Sequence, residues 1–232
     1  MIFVTTAPPE WRKAYIFDSL AKLSCRTVAL LEPSDRRKLP SNVERVPYIA
    51  DGWNQDGRFL NALDVPSDAV VVLADADAVV QRDPLPCELD PGDGVAMGWN
   101  WYPGQTCAEE YGACRPHRHY GDSFGVDLQR VPMRNGGLIA ARADTWHWLH
   151  AVWADVFRIG GPMIADHTFC QQLFVCIAIE KVHLPLRTLG YATHTHGLGP
   201  KHLTDDHTIR DGVLYHRGRI VFFAHHVKGV SH

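Results

Sequence analysis

Val70-Val71-Val72-Leu73-Ala74 runs straight into Asp75-Ala76-Asp77. An uninterrupted apolar run of this length has the character of a strand buried on both faces of a parallel sheet. In open α/β sheets, ligands bind beyond the carboxyl ends of such strands. Two carboxylates there, separated by one small residue, face a common point at low steric cost. Their mutual repulsion calls for a cation, and oxygen ligands suit Mg2+ or Mn2+. Such a cation could bridge to phosphate oxygens and carry the charge of a diphosphate leaving group. Asp is also an ordinary residue of the turn that ends a strand, so the pair takes its meaning from its companions.

Asn135-Gly136-Gly137 places an amide beside two residues without Cβ. Backbone there can approach a sugar hydroxyl closely, or simply turn tightly into the next strand. Asp166 stands where helix N-terminal N–H groups satisfy a carboxylate. It is an N-cap, or a group that orients an acceptor hydroxyl or takes its proton. Trp99, Trp101 and Tyr102 cluster after a strand-like segment, where alternation would put both tryptophans on one face, either in the core or stacked on a flat ligand. Cys107, Cys114, His117 and His119 have donor chemistry for zinc, but their spacing matches no common zinc module, so they read as a loop with incidental thiols.

The elements that must position these groups alternate in type. Ile2–Thr6 is a β-branched run ended by Ala7-Pro8-Pro9, where ladder pairing stops. Glu10–Leu23 carries Trp11, Tyr15, Ile16, Leu20 and Leu23 near helical spacing. Strands are predicted at Thr27–Leu31, at Val46–Ala50 (weakened by Pro47), at Ala69–Ala74, at Gly94–Trp101 and at Gly137–Ala141. Gly57–Leu63 reads as a short helix, Ala143–Ile159 and Asp166–Ile179 as longer ones. His216-Arg217-Gly218 suits a hairpin turn within Val213–Ala224. Strand, helix and strand in this order argue for a doubly wound α/β sheet.

Length and composition agree. A chain of 232 residues with 46% hydrophobic and 21% charged residues is an ordinary folded domain, without internal repeat or linker. No apolar run spans a membrane, and no leader pattern opens the sequence, so a cytoplasmic protein with six reduced cysteines is expected. The net charge of −3 hides an asymmetry. Residues 1–110 hold 10 Lys+Arg against 17 Asp+Glu; residues 111–232 hold 13 against 9, together with all 14 histidines. An acidic half facing a mildly basic, histidine-rich half suits a cleft for metal and anions, and falls short of a dedicated nucleic-acid surface.

Taken in order, these motifs resemble those of GT-A-fold nucleotide-sugar glycosyltransferases, and are similar to the retaining galactosyltransferase and glycogenin-like group. Thr5-Thr6 ends the first strand, Asp75-Ala76-Asp77 follows a hydrophobic strand, and Arg134-Asn135-Gly136-Gly137-Leu138-Ile139 is similar to an Asn-x-Gly strand entry beside the donor sugar. Ala165-Asp166-His167 resembles an acidic motif at a helix start. Phe223-Ala224-His225-His226-Val227-Lys228-Gly229 is similar to a C-terminal histidine segment that completes a metal site. The resemblance covers nearly the whole chain and implies one α/β domain, 1–232, of GT-A-like (Rossmann-like) type, with a mixed, mostly parallel central sheet flanked by helices. Residues 1–110 would form the nucleotide-sugar-binding half and 111–232 the acceptor-binding half.

The resemblance further implies metal-dependent transfer of a sugar from a nucleoside-diphosphate sugar, UDP-linked above all, to an acceptor hydroxyl. Asp75, Asp77 and one of His225 and His226 would hold Mn2+ or Mg2+; strand alternation argues against both histidines facing one ion. Lys228 would meet a diphosphate oxygen as a mobile point charge. Thr5, Thr6 and Glu32 would approach the base and ribose, Arg58 the donor, and Asn135, Gly136 and Gly137 the sugar. Asp77 and Asp166 would be the catalytic residues, Asp77 through the metal and Asp166 by orienting the acceptor or taking its proton. A terminal Lys-Pro-Trp is absent, and His167 stands where retaining relatives often carry Gln, which leaves retention or inversion open. The same chemistry on a hydroxymethylated base of DNA, and a non-catalytic sugar-nucleotide-binding domain, are the alternatives. An Asp-x-Asp phosphatase would need its motif near the chain start, and a nucleotidyltransferase a Gly-rich basic loop where Thr6-Ala7-Pro8-Pro9 stands.

Overall fold

The computed structural model describes residues 1–7, 15–49, 57–109, 124–164, 170–197 and 203–230. Its centre is a seven-stranded sheet. β1 (Ile2–Thr6) lies between β2 (Arg26–Leu31) and β4 (Val70–Asp75), with β3 (Val43–Pro47) outside β2. These four run parallel. Beyond β4 come β7 (Arg134–Arg142), β6 (Val95–Trp99) and β8 (Leu186–Thr188). Only β7 opposes the rest, pairing antiparallel with both β4 and β6. Its first residues therefore sit at the edge where its neighbours end, so Asn135 and Asp75 share one rim of the sheet.

One face is covered by α3 (Ala143–Ile164) and α4 (Cys170–Lys181), with a 3-10 turn at Arg58–Ala62. Trp146, Phe59, Phe174, Met97 and Ile139 form the core of this layer. Trp146 donates from its indole to the Val71 carbonyl at 3.1 Å, so the helix is pinned to the buried strand by a satisfied polar group. Gly57 has φ +90°, and a Cβ there would stand 2.6 Å from the Trp146 carbonyl, so glycine is required.

The other face carries α1 (Ile16–Ser19), the short α2 (Pro86–Leu89), whose Leu89 joins this core, and a small sheet of β5 (Ala78–Val80), β13 (Phe223–His225) and β9 (His194–His196). Phe3, Ile16, Leu20, Leu138, Phe222 and Phe223 fill the space between. Each such side chain contributes about 1.5–3 kcal/mol on burial. Ser19 Oγ accepts the Val80 N–H at 2.9 Å, fastening α1 to β5. β10 (His207–Arg210), β11 (Val213–His216) and β12 (Arg219–Ile220) form an antiparallel meander. Its turn at Arg217-Gly218 has both φ values positive, as a two-residue hairpin demands.

The mixed α/β architecture is as expected; several boundaries differ. β3 starts at Val43 and ends at Pro47, which is tolerated because β3 is an edge strand. β6 stops at Trp99, where the Gln105 side chain captures the Trp101 N–H at 3.2 Å, so the two tryptophans do not share a strand face. Trp99 lies under the Arg134 guanidinium and Trp101 against the His196 ring. α3 runs on to Ile164, beyond the expected Ile159. The first helix is described only as Ile16–Ser19 with a 3-10 turn to Lys22, since residues 8–14 fall outside the described residues. Among the described residues, no helix is long and apolar enough to cross a membrane.

Candidate metal and donor site

β4 carries Asp75 to the rim, Ala76 buries its methyl group, and Asp77 precedes β5. β13 pairs antiparallel with β5 so that His225 lies opposite Ala78, one residue past Asp77. His225 Nε2 is 3.1 Å from Asp77 Oδ1 and 3.7 Å from Asp75 Oδ2. His226 Nε2 is 3.1 Å from Asp77 Oδ2. Both imidazoles therefore meet the same carboxylate, against the alternation argument. The reason is local: β13 ends at His225, and His226 has φ +54°, a left-handed turn that swings its side chain back.

The two acids are electrostatically unlike. Burial pushes Asp75 up to about 6, opposed by the nearby His225 and reinforced by Asp77. Burial would raise Asp77 as well, but hydrogen bonds from His225 and His226 overcome it and hold the group well below the usual carboxylate range. The same bond from Asp77 raises His226. Asp77 is thus the ionised anchor, with Asp75 beside it as a carboxylate that a nearby positive charge would ionise.

Behind this front stands a layer of polar side chains. His225 Nδ1 is 3.0 Å from Asn135 Oδ1, which also accepts the Gly137 N–H at 2.9 Å. Gln172 Oε1 accepts the Gly136 N–H at 3.1 Å, and its Nε2 donates to Asn100 Oδ1 at 3.2 Å. β9 runs parallel to β13 with His196 opposite His225, their rings 4.9 Å apart. His194 lies deeper, fully enclosed, its ring 6.1 Å from His225, and neither nitrogen has a hydrogen-bond partner among the described residues. Burial takes its pKa well below that of an ordinary histidine, so it is a neutral wall of the site. Sequence reasoning missed His194, His196, Asn100 and Gln172; the Thr193-His194-Thr195-His196 alternation was the one available signal.

The other expected residues divide. Thr6 is in register with Asp75, at the rim. Thr5 points the other way, fully buried, and donates to the Ala74 carbonyl at 2.8 Å. Glu32 follows β2 and lines a cavity of about 330 Å3 with Pro33, Asp35, Arg36 and Arg45. Arg58 lies over the Trp153 ring, in the helical layer of α3. Asn135 is engaged with protein partners, as above. Lys228 is exposed on the turn after β13. Asp166 lies outside the described residues, as do Cys114, His117 and His119, while Cys107 is buried against Met133.

Asp77, His225 and His226 each offer a ligand atom, all within 4.8 Å of one another. A carboxylate and two imidazole nitrogens, with Asp75 adjoining, fit a divalent cation by donor chemistry. The 3.1 Å contact is a hydrogen bond while His225 Nε2 carries a proton; without that proton, nitrogen and carboxylate oxygen would repel unless a cation stood between them.

A mostly parallel sheet with one reversed strand, helices on its face and an acidic turn at its rim is the GT-A type of α/β fold. Solved structures of this type include the galactosyltransferase LgtC in complex with donor and acceptor sugar analogues, with TM-score 0.56 and 12% identity over 97% of this chain and 86% of that one. An active-site mutant of LgtC gives TM-score 0.55 and 12% identity over the same shares. No protein-family profile and no curated protein sequence matches the chain. At this identity, what is shared is the fold.

Proposed function

We propose that the chain is a metal-dependent glycosyltransferase that moves a sugar from a nucleoside-diphosphate sugar to an acceptor hydroxyl. The observation that carries the reading is the meeting of Asp75, Asp77, His225 and His226 at the carboxyl rim of β4, on a fold shared with a sugar transferase. These four residues would hold Mn2+ or Mg2+. When bound, the cation supplies neutralisation of the negative charge that builds on the departing nucleoside diphosphate. Asp77 fixes the site's charge, since it stays ionised at any physiological pH. Lys228, on an exposed turn three residues past His225, would add a mobile positive charge toward the diphosphate. Thr6 and Glu32, at the ends of β1 and β2, would line the approach of the base and ribose. Asp166 would orient the acceptor or take its proton.

A thermal-shift screen of UDP-, GDP- and ADP-sugars with and without Mn2+ tests this. A donor at a hundred times its Kd stabilises the native state by about 2.7 kcal/mol. In a chain of this size that raises Tm by about 5–10 °C. The rise should need Mn2+ and should vanish in Asp77→Asn. If no nucleotide sugar stabilises the protein with either Mn2+ or Mg2+ present, the assignment is wrong.

A further inference from the structure

Asn135 is 2% exposed, and both ends of its amide are engaged. Oδ1 receives the Gly137 N–H at 2.9 Å, which fixes that end as oxygen because an NH2 group accepts nothing. Nδ2 then points to Asn100 Oδ1 at 3.4 Å and Gln172 Oε1 at 3.5 Å. Gln172 is oriented in the same way, its Oε1 held by the Gly136 N–H at 3.1 Å. Asn100 donates to Gln105 Oε1 at 3.1 Å, and that oxygen takes the Trp101 N–H. Three backbone N–H groups thus anchor three side-chain oxygens, and no amide in the relay can flip without losing a hydrogen bond.

With its oxygen assigned, Asn135 can only accept from His225. The 3.0 Å contact therefore requires a proton on His225 Nδ1. Nε2 faces Asp77 Oδ1 at 3.1 Å and Asp75 Oδ2 at 3.7 Å, where it donates to Asp77 while no cation is bound and would offer its lone pair to the ion once that proton has left. The arrangement also depends on Gly137: a Cβ there would lie 2.2 Å from His225 Nδ1 and 2.8 Å from Asn135 Oδ1. We propose that Asn135, set by Gly137, Gln172 and Asn100, is a positioning residue that keeps the proton of His225 on Nδ1 and aims Nε2 at the divalent cation. This rests on the cation site proposed above. It gives the Asn135 amide a task in ring orientation, since its polar atoms already have protein partners.

The test is long-range 1H–15N NMR on protein labelled at histidine nitrogens, with and without Zn2+ as a diamagnetic probe. His225 Nδ1 should carry a proton in both states, and only Nε2 should shift when Zn2+ is added. A proton-free Nδ1, or a Zn2+ response at Nδ1, overturns the proposal. Asn135→Ala should release the Nδ1 proton and weaken Mn2+ binding, read from free-ion EPR, by about 10–100-fold, the usual loss when a ligand's own partner is removed. Gln172→Glu keeps the acceptor for Gly136 N–H but cannot donate to Asn100, and should weaken Mn2+ binding less. A folded Asn135→Ala with unchanged Mn2+ affinity overturns the proposal. If Asn135→Ala does not fold, the wild-type spectrum still decides. A wild-type spectrum as expected, with no nucleotide sugar bound, would sustain this tautomer and sink the transferase reading.

Discussion

His226 occupies the oxygen of Asp77 that His225 leaves over. His225 Nε2 takes Oδ1 and His226 Nε2 takes Oδ2, each at 3.1 Å. One carboxylate thus joins two imidazoles that leave the chain at adjacent positions. Asp77→Asn keeps the shape, removes the charge and turns one oxygen into an NH2 group. Mn2+ affinity should fall by more than the roughly 10–100-fold that losing a ligand's supporting partner costs. Far-UV circular dichroism should be unchanged and Mn2+-dependent turnover lost; full activity would falsify the role of Asp77.

The same pair sets a pH dependence in the metal-free protein. His226 is raised by its bond to Asp77, so its contribution is full below about pH 6.5 and is lost as pH rises through the raised value. Asp77 is depressed, so its contribution is present above about pH 3.9 and is lost as pH falls through the depressed value. The stability difference between wild type and His226→Gln, from urea unfolding in EDTA, should therefore be widest from about pH 4 to 6.5. It should shrink above that window. A difference that grows toward pH 9 would contradict the pairing.

Gly137 offers a steric test. A Cβ at this position meets the His225 ring at 2.2 Å, between the sheet and β13. Gly137→Ala should cost about 1–3 kcal/mol, as overpacking does, and should displace the imidazole enough to abolish Mn2+ binding. At Gly190 nothing lies within 4 Å of an added Cβ. Gly190→Ala should stay within about 0.5 kcal/mol and bind Mn2+ normally. Equal behaviour of the two variants in denaturant melts and Mn2+ titration would refute the steric account.

The parts of the site legible in the sequence are those with a local cause. The apolar run before Asp75 announces a buried strand, and a buried strand in an α/β sheet points its last residues at the rim. Thr5 and Thr6 are expected together at the base and ribose, yet strand alternation sends only Thr6 to the rim and buries Thr5 against the Ala74 carbonyl. The position of both histidines on Asp77 was not legible, because it depends on one left-handed residue at the end of a three-residue strand. Nor was the engagement of Asn135 with His225, which requires β7 and β13 to meet across the sheet face. His194 and His196 belong to a strand too short and too polar to stand out from turns.

Arg82 and Glu88 hold the small sheet from outside the site. The guanidinium grips the carboxylate through two bonds of 2.7 Å, donates from Nε to the Ile220 carbonyl at 2.8 Å and reaches the Ala192 carbonyl at 3.2 Å. Those carbonyls stand just ahead of β13 and β9, so the pair ties both histidine strands to the segment after β5. Burial would raise Glu88, but the Arg82 bonds and the Leu85 N–H outweigh it and lower the group. A depressed carboxylate contributes stability that is present above about pH 4.3 and is lost as pH falls through its folded value. Glu88→Gln should therefore cost about 1–3 kcal/mol at neutral pH, the usual range for a hydrogen bond to a charged group. The gap to wild type, read from urea midpoints, should stay constant from about pH 5 to 8 and close in acid. Because the clamp fixes the strands carrying His194 and His225, Mn2+ affinity should fall with it although neither Arg82 nor Glu88 belongs to the candidate cation site. A variant that loses stability yet binds Mn2+ as wild type would mean that β5 alone, through its pairing with β13, holds His225 in place.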